Sequence, residues 1–103
     1  MELVPKRVTN ELSEVLDPIS PELTDNVVNF AVNELKKLFR ELSEHRSSSE
    51  GKARQVLSRY QERLLTKLGD ELPEREVQVE KAYELLNNVY VKHFENQKGK
   101  KYL

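Results

Sequence analysis

Hydrophobic residues recur at intervals of three and four along most of this chain, which is the spacing of an amphipathic α-helix. Prolines and glycines stand where the pattern changes, and they divide the chain into four segments. The segments run from about residue 5 to 16, 21 to 44, 50 to 68 and 73 to 97. The pattern therefore predicts three long helices preceded by a short N-terminal helix.

The ends of these segments carry capping signals. Ser20 is the expected N-cap of the second helix, and Ser47 with Glu50 three residues later resembles a capping box for the third. Gly69 is expected to adopt the left-handed conformation that ends the third helix, and Gly99 closes the fourth. Short turns between long helices favour an up-and-down arrangement.

The chain has 103 residues, which fits one domain. We predict an all-α, elongated up-and-down helical bundle over residues 1–97, followed by a basic C-terminal tail over residues 98–103. A helix of 25 residues is about 37 Å long, whereas a compact sphere of 100 residues has a diameter of about 26 Å. Only a rod-like bundle accommodates helices of that length.

The apolar stripes are wider than one neighbouring helix would cover. Their edges are expected to be exposed and to form an interface with a second copy or another protein. The candidate interface residues are Val27, Phe30, Val77, Leu85 and Val91. A homodimer or a stable protein partner is the corresponding prediction.

The charge of the chain reverses between the third and fourth helices. Residues 47–68 contain five basic and two acidic side chains, whereas residues 69–97 contain three basic and seven acidic ones. Four of the basic residues share one face of the third helix because they are seven, four and four positions apart. This basic stripe consists of Lys52, Arg59, Arg63 and Lys67.

The basic stripe has two interpretations. An antiparallel hairpin would bring it beside Glu74, Glu80 and Glu84 of the fourth helix, and the charges would then set the register of the two helices. Alternatively, the stripe and the tail lysines would bind the phosphate backbone of a nucleic acid. Those lysines are Lys98, Lys100 and Lys101.

Composition argues against several classes of function. The chain has no cysteine and only two histidines, His45 and His93, which lie on different segments, so we expect no metal site and no cofactor. We see no phosphate-binding glycine loop and no evident small-molecule substrate. No apolar run reaches the roughly 20 residues of a membrane span, so we expect no membrane partner and a cytoplasmic location.

One short motif allows an enzymatic alternative. Arg40 and His45 are separated by four residues, a spacing similar to that in HEPN-type ribonucleases, which are small helical bundles. The resemblance covers six residues and implies that the histidine would act as general base or acid while the arginine stabilised phosphate charge. It would require a second copy across a dimer.

From the sequence we therefore expect no catalytic residues and no enzymatic activity. The preferred function is that of a helical adaptor or oligomerising subunit that acts through protein contacts. The alternative is a nucleic-acid-binding accessory subunit of a replication, transcription or defence complex.

Overall fold

Four α-helices make up the structure, a computed structural model that describes residues 3–16, 21–44 and 50–102. They are α1 (Lys6–Leu16), α2 (Pro21–Glu44), α3 (Glu50–Glu71) and α4 (Glu76–Tyr102). No strand occurs in these ranges. The prediction of an all-α bundle with three long helices and one short one is confirmed, while the expected caps Ser20 and Ser47 lie outside the described residues.

The helices alternate in direction. Lys67 of α3 lies over Phe30 near the start of α2, and Arg59, two turns earlier in α3, reaches Glu41 near the end of α2. These two helices are therefore antiparallel. Helices α2 and α4 contact each other, and α1 and α3 both pack against that pair without contacting each other, so they lie on opposite sides of it.

The core runs along the centre of the bundle and follows the predicted helical spacing. Tyr90 is the largest fully buried side chain. On α2, the fully buried positions are Val27, Ala31, Leu35 and Leu38, whereas Val28 is only half-buried. The expectation that Val27 forms an exposed edge is therefore wrong. The other apolar side chains with no exposed surface come from α1, α3 and α4: Leu12, Leu16, Leu64, Leu68, Ala82 and Leu86.

The molecule is elongated, with principal extents of 44 × 26 × 17 Å and a radius of gyration of 14.2 Å. A compact domain of about 100 residues has a radius of gyration near 13 Å. The longest dimension follows the helix axes.

The turn between α3 and α4 differs from the prediction. Helix α3 continues through Gly69, which has no positive φ, and ends at Glu71. Pro73 supplies the stop, because a proline disfavours helical geometry in the residue before it. The left-handed residue is Glu74, with φ of 63°. Helix α4 likewise continues through Gly99 and ends at Tyr102.

Candidate functional site

The basic stripe faces α2. The Nη1 of Arg59 lies 3.1 Å from Oε2 of Glu41, and the Nη2 of Arg63 lies 3.0 Å from Oε1 of Glu34. Both glutamates belong to α2 and are seven residues apart, so they lie on one face of that helix. We call these contacts the α2–α3 charged seam.

Of the other two residues of the stripe, Lys67 extends this seam. The Nζ of Lys67 lies 2.7 Å from Oε1 of Glu71 in its own helix and 5.6 Å from the ring centre of Phe30 in α2. Lys52 is exposed near the other end of α3. For Arg59, Arg63 and Lys67, the expected pairing with Glu74, Glu80 and Glu84 is therefore wrong, because the side of α3 that carries these three residues packs toward α2.

Glu34 is a buried carboxylate at the centre of the seam. Its side chain is 3% exposed, whereas that of Arg63 is 47% exposed. Lys37 provides a second cation, with its Nζ 3.6 Å from Oε1. Oε2 of Glu34 is buried and accepts no hydrogen bond within the described part of the chain. A buried carboxylate of this kind depends on the cations beside it.

Two tyrosines line the same interior. The hydroxyl of Tyr60 donates to Oε1 of Glu41 at 3.5 Å, and that of Tyr90 donates to the backbone carbonyl of Ala31 at 3.4 Å. Burial raises the pKa of both phenols, and the negative charge of nearby Glu34 raises them further. Both tyrosines therefore remain neutral donors around neutral pH.

The charged seam has limited capacity to bind phosphate. Arg59, Arg63 and Lys67 each already contact a carboxylate. A nucleic acid would have to compete with those intramolecular partners, and fewer counterions would be released on binding. Its geometry is better suited to fixing the register of α2 against α3.

A second feature is an open groove between α3 and α4 beside their connecting turn. Its apolar walls come from Leu65 of α3 and from Val79 and Tyr83 of α4, and Leu72 forms a buried floor. Gly69 lies in the same lining. We call this the α3–α4 groove.

The groove exposes apolar surface. Leu65 is 46% exposed and shares its helix face with exposed Glu62 and Gly69. A Cβ placed on Gly69 would meet no atom within 4 Å, so the space above this glycine is open. Leu65 and the open space over Gly69 lie side by side in the lining of the groove, and contiguous exposed apolar surface is where another molecule can bind.

The rim of the groove is mainly acidic. Glu74, Glu76 and Glu80 border it, with Arg75 as the one basic residue of the lining. Exposed Glu62 lies on the α3 side, because positions 62, 65 and 69 share one helix face. The groove therefore combines an apolar floor with an excess of negative charge at its edge.

Two residues of this groove lower the stability of the fold. Gly69 lies inside a helix, where glycine costs about 0.5–1 kcal/mol relative to alanine, and no neighbouring atom requires it. Glu74 is left-handed, which costs an L-residue about 1–2 kcal/mol. Residues that locally destabilise a fold are expected mainly at functional sites.

The five predicted interface residues do not form one surface. Val27 is buried in the core, and Phe30 lies under Lys67 in the charged seam. Leu85 lines a groove between α1 and α4, whereas Val91 lines the far end of the α3–α4 face. Val77 is 58% exposed at the start of α4.

The remaining sequence candidates lie only partly within the described residues. Arg40 is exposed on α2, and its proposed partner His45 lies outside the described residues. The backbones of Lys98, Lys100 and Lys101 continue α4, but their side chains also lie outside that description. Within the described ranges, no three acidic or histidine side chains are placed to hold a metal ion, and no helix is long and apolar enough to cross a membrane.

Sequence reasoning missed the α3–α4 groove because Gly69 was interpreted as a helix stop. The available signal was Pro73, which ends the helix by itself and leaves Gly69 as an unexplained glycine inside α3. No family model, curated protein or solved structure matches this chain, so its function has to be inferred from these surfaces.

Proposed function

We propose that this protein is a non-enzymatic helical adaptor that binds a partner protein in the α3–α4 groove. A groove between two antiparallel helices can accept a third helix by the same packing of ridges into grooves that builds the bundle. Leu65, Val79 and Tyr83 would supply the apolar contacts. The partner would cover surface that the isolated chain leaves exposed.

This proposal rests on one observation: two residues that destabilise the fold, Gly69 and Glu74, lie in the same groove. No atom near Gly69 requires a glycine there, and the left-handed backbone of the turn before α4 is carried by a glutamate and not by a glycine. Both make sense if the groove must stay open and its rim must present a particular side chain. Stabilising substitutions at such positions typically impair function.

The test fills the groove without harming the fold. Gly69→Leu places its Cβ in open space and replaces glycine, which after proline is the poorest helix former, so we expect a gain of about 0.5–1 kcal/mol in unfolding free energy. Wild type and variant are then used to isolate partners from extracts of the source cells. We expect the variant to lose the partner that the wild type retains.

A matched control comes from the other end of the same helix pair. Ser58→Leu adds the same side chain to the separate groove that Arg54, Leu57 and Val91 line. This control should retain the partner. Equal retention by Gly69→Leu and Ser58→Leu would refute the assignment of the α3–α4 groove.

A cytoplasmic location remains a prediction of the sequence and is part of the same proposal. Fractionation of the source cells would test it, with recovery alongside cytoplasmic marker proteins as the expected result.

A further inference from the structure

We infer that the occupant of the α3–α4 groove is a basic amphipathic helix of a partner protein. This inference rests on the proposed function and specifies the chemistry of the partner. The apolar part of the groove extends from Leu65 to Leu72, which is roughly 10 Å along the axis of α3, or two helical turns. Two or three apolar side chains at helical spacing would fill that length.

The rim determines the charge of the occupant. Glu76 and Glu80 border the groove on α4, Glu74 and Arg75 border it at the turn, and Glu62 lies on the same face of α3 as Leu65, so the rim keeps an excess of negative charge. A helix seated between them would place its flanking side chains against these carboxylates. Lysine or arginine there is favoured, whereas glutamate would meet like charge from both sides.

The conformation of Glu74 is consistent with this inference. Glycine or asparagine would adopt the left-handed backbone with less strain, but neither carries a negative charge. The chain thus has a carboxylate at a position where the backbone disfavours it. Glu74→Gly should therefore separate the two effects, raising the stability of the fold while weakening the complex.

Each exposed ion pair contributes a factor of about 1.4 to 5 in affinity, so three pairs together give roughly tenfold. Contacts of this kind weaken with salt, since the screening length falls from about 10 Å at 0.1 M to about 3 Å at 1 M. The apolar contribution does not weaken in that way. The affinity for a basic helix should therefore fall on addition of salt and then level off.

The experiment uses two fluorescent helical peptides with identical leucine positions, spaced three and four residues apart. One carries lysine at its flanking positions and the other carries glutamate. Anisotropy titrations use the wild type, Gly69→Leu, Ser58→Leu and the reversal Glu80→Lys. We expect the lysine peptide to bind wild type roughly tenfold more tightly than the glutamate peptide. Gly69→Leu should abolish the binding, and Ser58→Leu should leave it unchanged.

The reversal Glu80→Lys should lower the affinity for the lysine peptide and raise the affinity for the glutamate peptide. If both peptides bind equally and both are lost in Gly69→Leu, the groove is a docking site but the inferred charge of the partner is wrong. If Gly69→Leu has no effect on either peptide, the proposed function fails as well. A dimer in light scattering that Gly69→Leu dissociates would make a second copy the occupant and overturn the inference.

Discussion

Glu34 and Arg63 form an ion pair whose two members should respond very differently to replacement. The side chain of Glu34 is 3% exposed and that of Arg63 is 47% exposed. Removing the arginine leaves a buried carboxylate beside the more distant cation of Lys37, whose Nζ lies 3.6 Å from Oε1. Removing the glutamate leaves a half-exposed guanidinium that water can solvate. The loss of stability should therefore depend strongly on which partner is removed.

Breaking a fully buried pair by removing one ion costs about 3–5 kcal/mol. Because Lys37 remains and Arg63 is half-exposed, we expect Arg63→Met to cost about 2 kcal/mol, which lowers Tm by roughly 8–16 °C in a domain of this size. Glu34→Met replaces a buried charge with an apolar side chain of similar length. It should change the unfolding free energy by less than about 1 kcal/mol, or increase it.

Urea unfolding of both single variants and the double variant provides the measurement, with a coupling energy from the double-mutant cycle. The unfolding free energy of the double variant should be closer to that of Glu34→Met than to that of Arg63→Met. Once Glu34 is replaced, Arg63→Met no longer leaves a buried carboxylate without its arginine. If Glu34→Met is as destabilising as Arg63→Met, the difference in burial between the two partners does not determine the loss of unfolding free energy.

Three further predictions concern the tyrosines, the groove and the basic stripe. Burial raises the pKa of Tyr90 above its ordinary value near 10, so the unfolded chain loses this proton first and stability should fall as pH rises above about 10. Tyr90→Phe should flatten that fall in urea melts at several pH values. Gly69→Ala should raise Tm by roughly 2–8 °C in calorimetry, and an unchanged or lower Tm would contradict the open space at this position. Oligonucleotide titrations at low salt should show no saturable binding, because Arg59 and Arg63 already contact glutamates; tight, salt-sensitive binding would revive the nucleic-acid alternative.

Helical periodicity predicted the four helices and most of the core, because apolar residues three and four positions apart lie on one face of a helix. It did not predict which neighbour the basic stripe contacts. A helical wheel gives the direction of Arg63 about the axis of α3, but the helix that lies in that direction depends on the arrangement of the bundle. Glu34 and Glu41, seven residues apart on α2, were the signal in the sequence that favoured α2 as the neighbour.

The α3–α4 groove was harder to predict because it depends on exceptions to local preferences. Glycine at the end of an apolar pattern is usually a cap, yet Pro73 ends α3 and the left-handed residue is Glu74. The sequence does not indicate that a glutamate would adopt the conformation expected of Gly69. The pattern of apolar residues also does not reveal a groove that is open because Gly69 has no side chain.

Chemical-shift mapping tests directly whether the α3–α4 groove is the binding surface. Unlabelled lysine peptide is titrated into isotope-labelled protein while the backbone amide signals are followed. We predict that the largest shifts occur at Leu65, Gly69, Leu72, Val79 and Tyr83, with little change along the charged seam at Glu34 and Arg63. Shifts concentrated on α1 or on the α2–α3 charged seam, with the groove residues unmoved, would contradict a docking role for the groove.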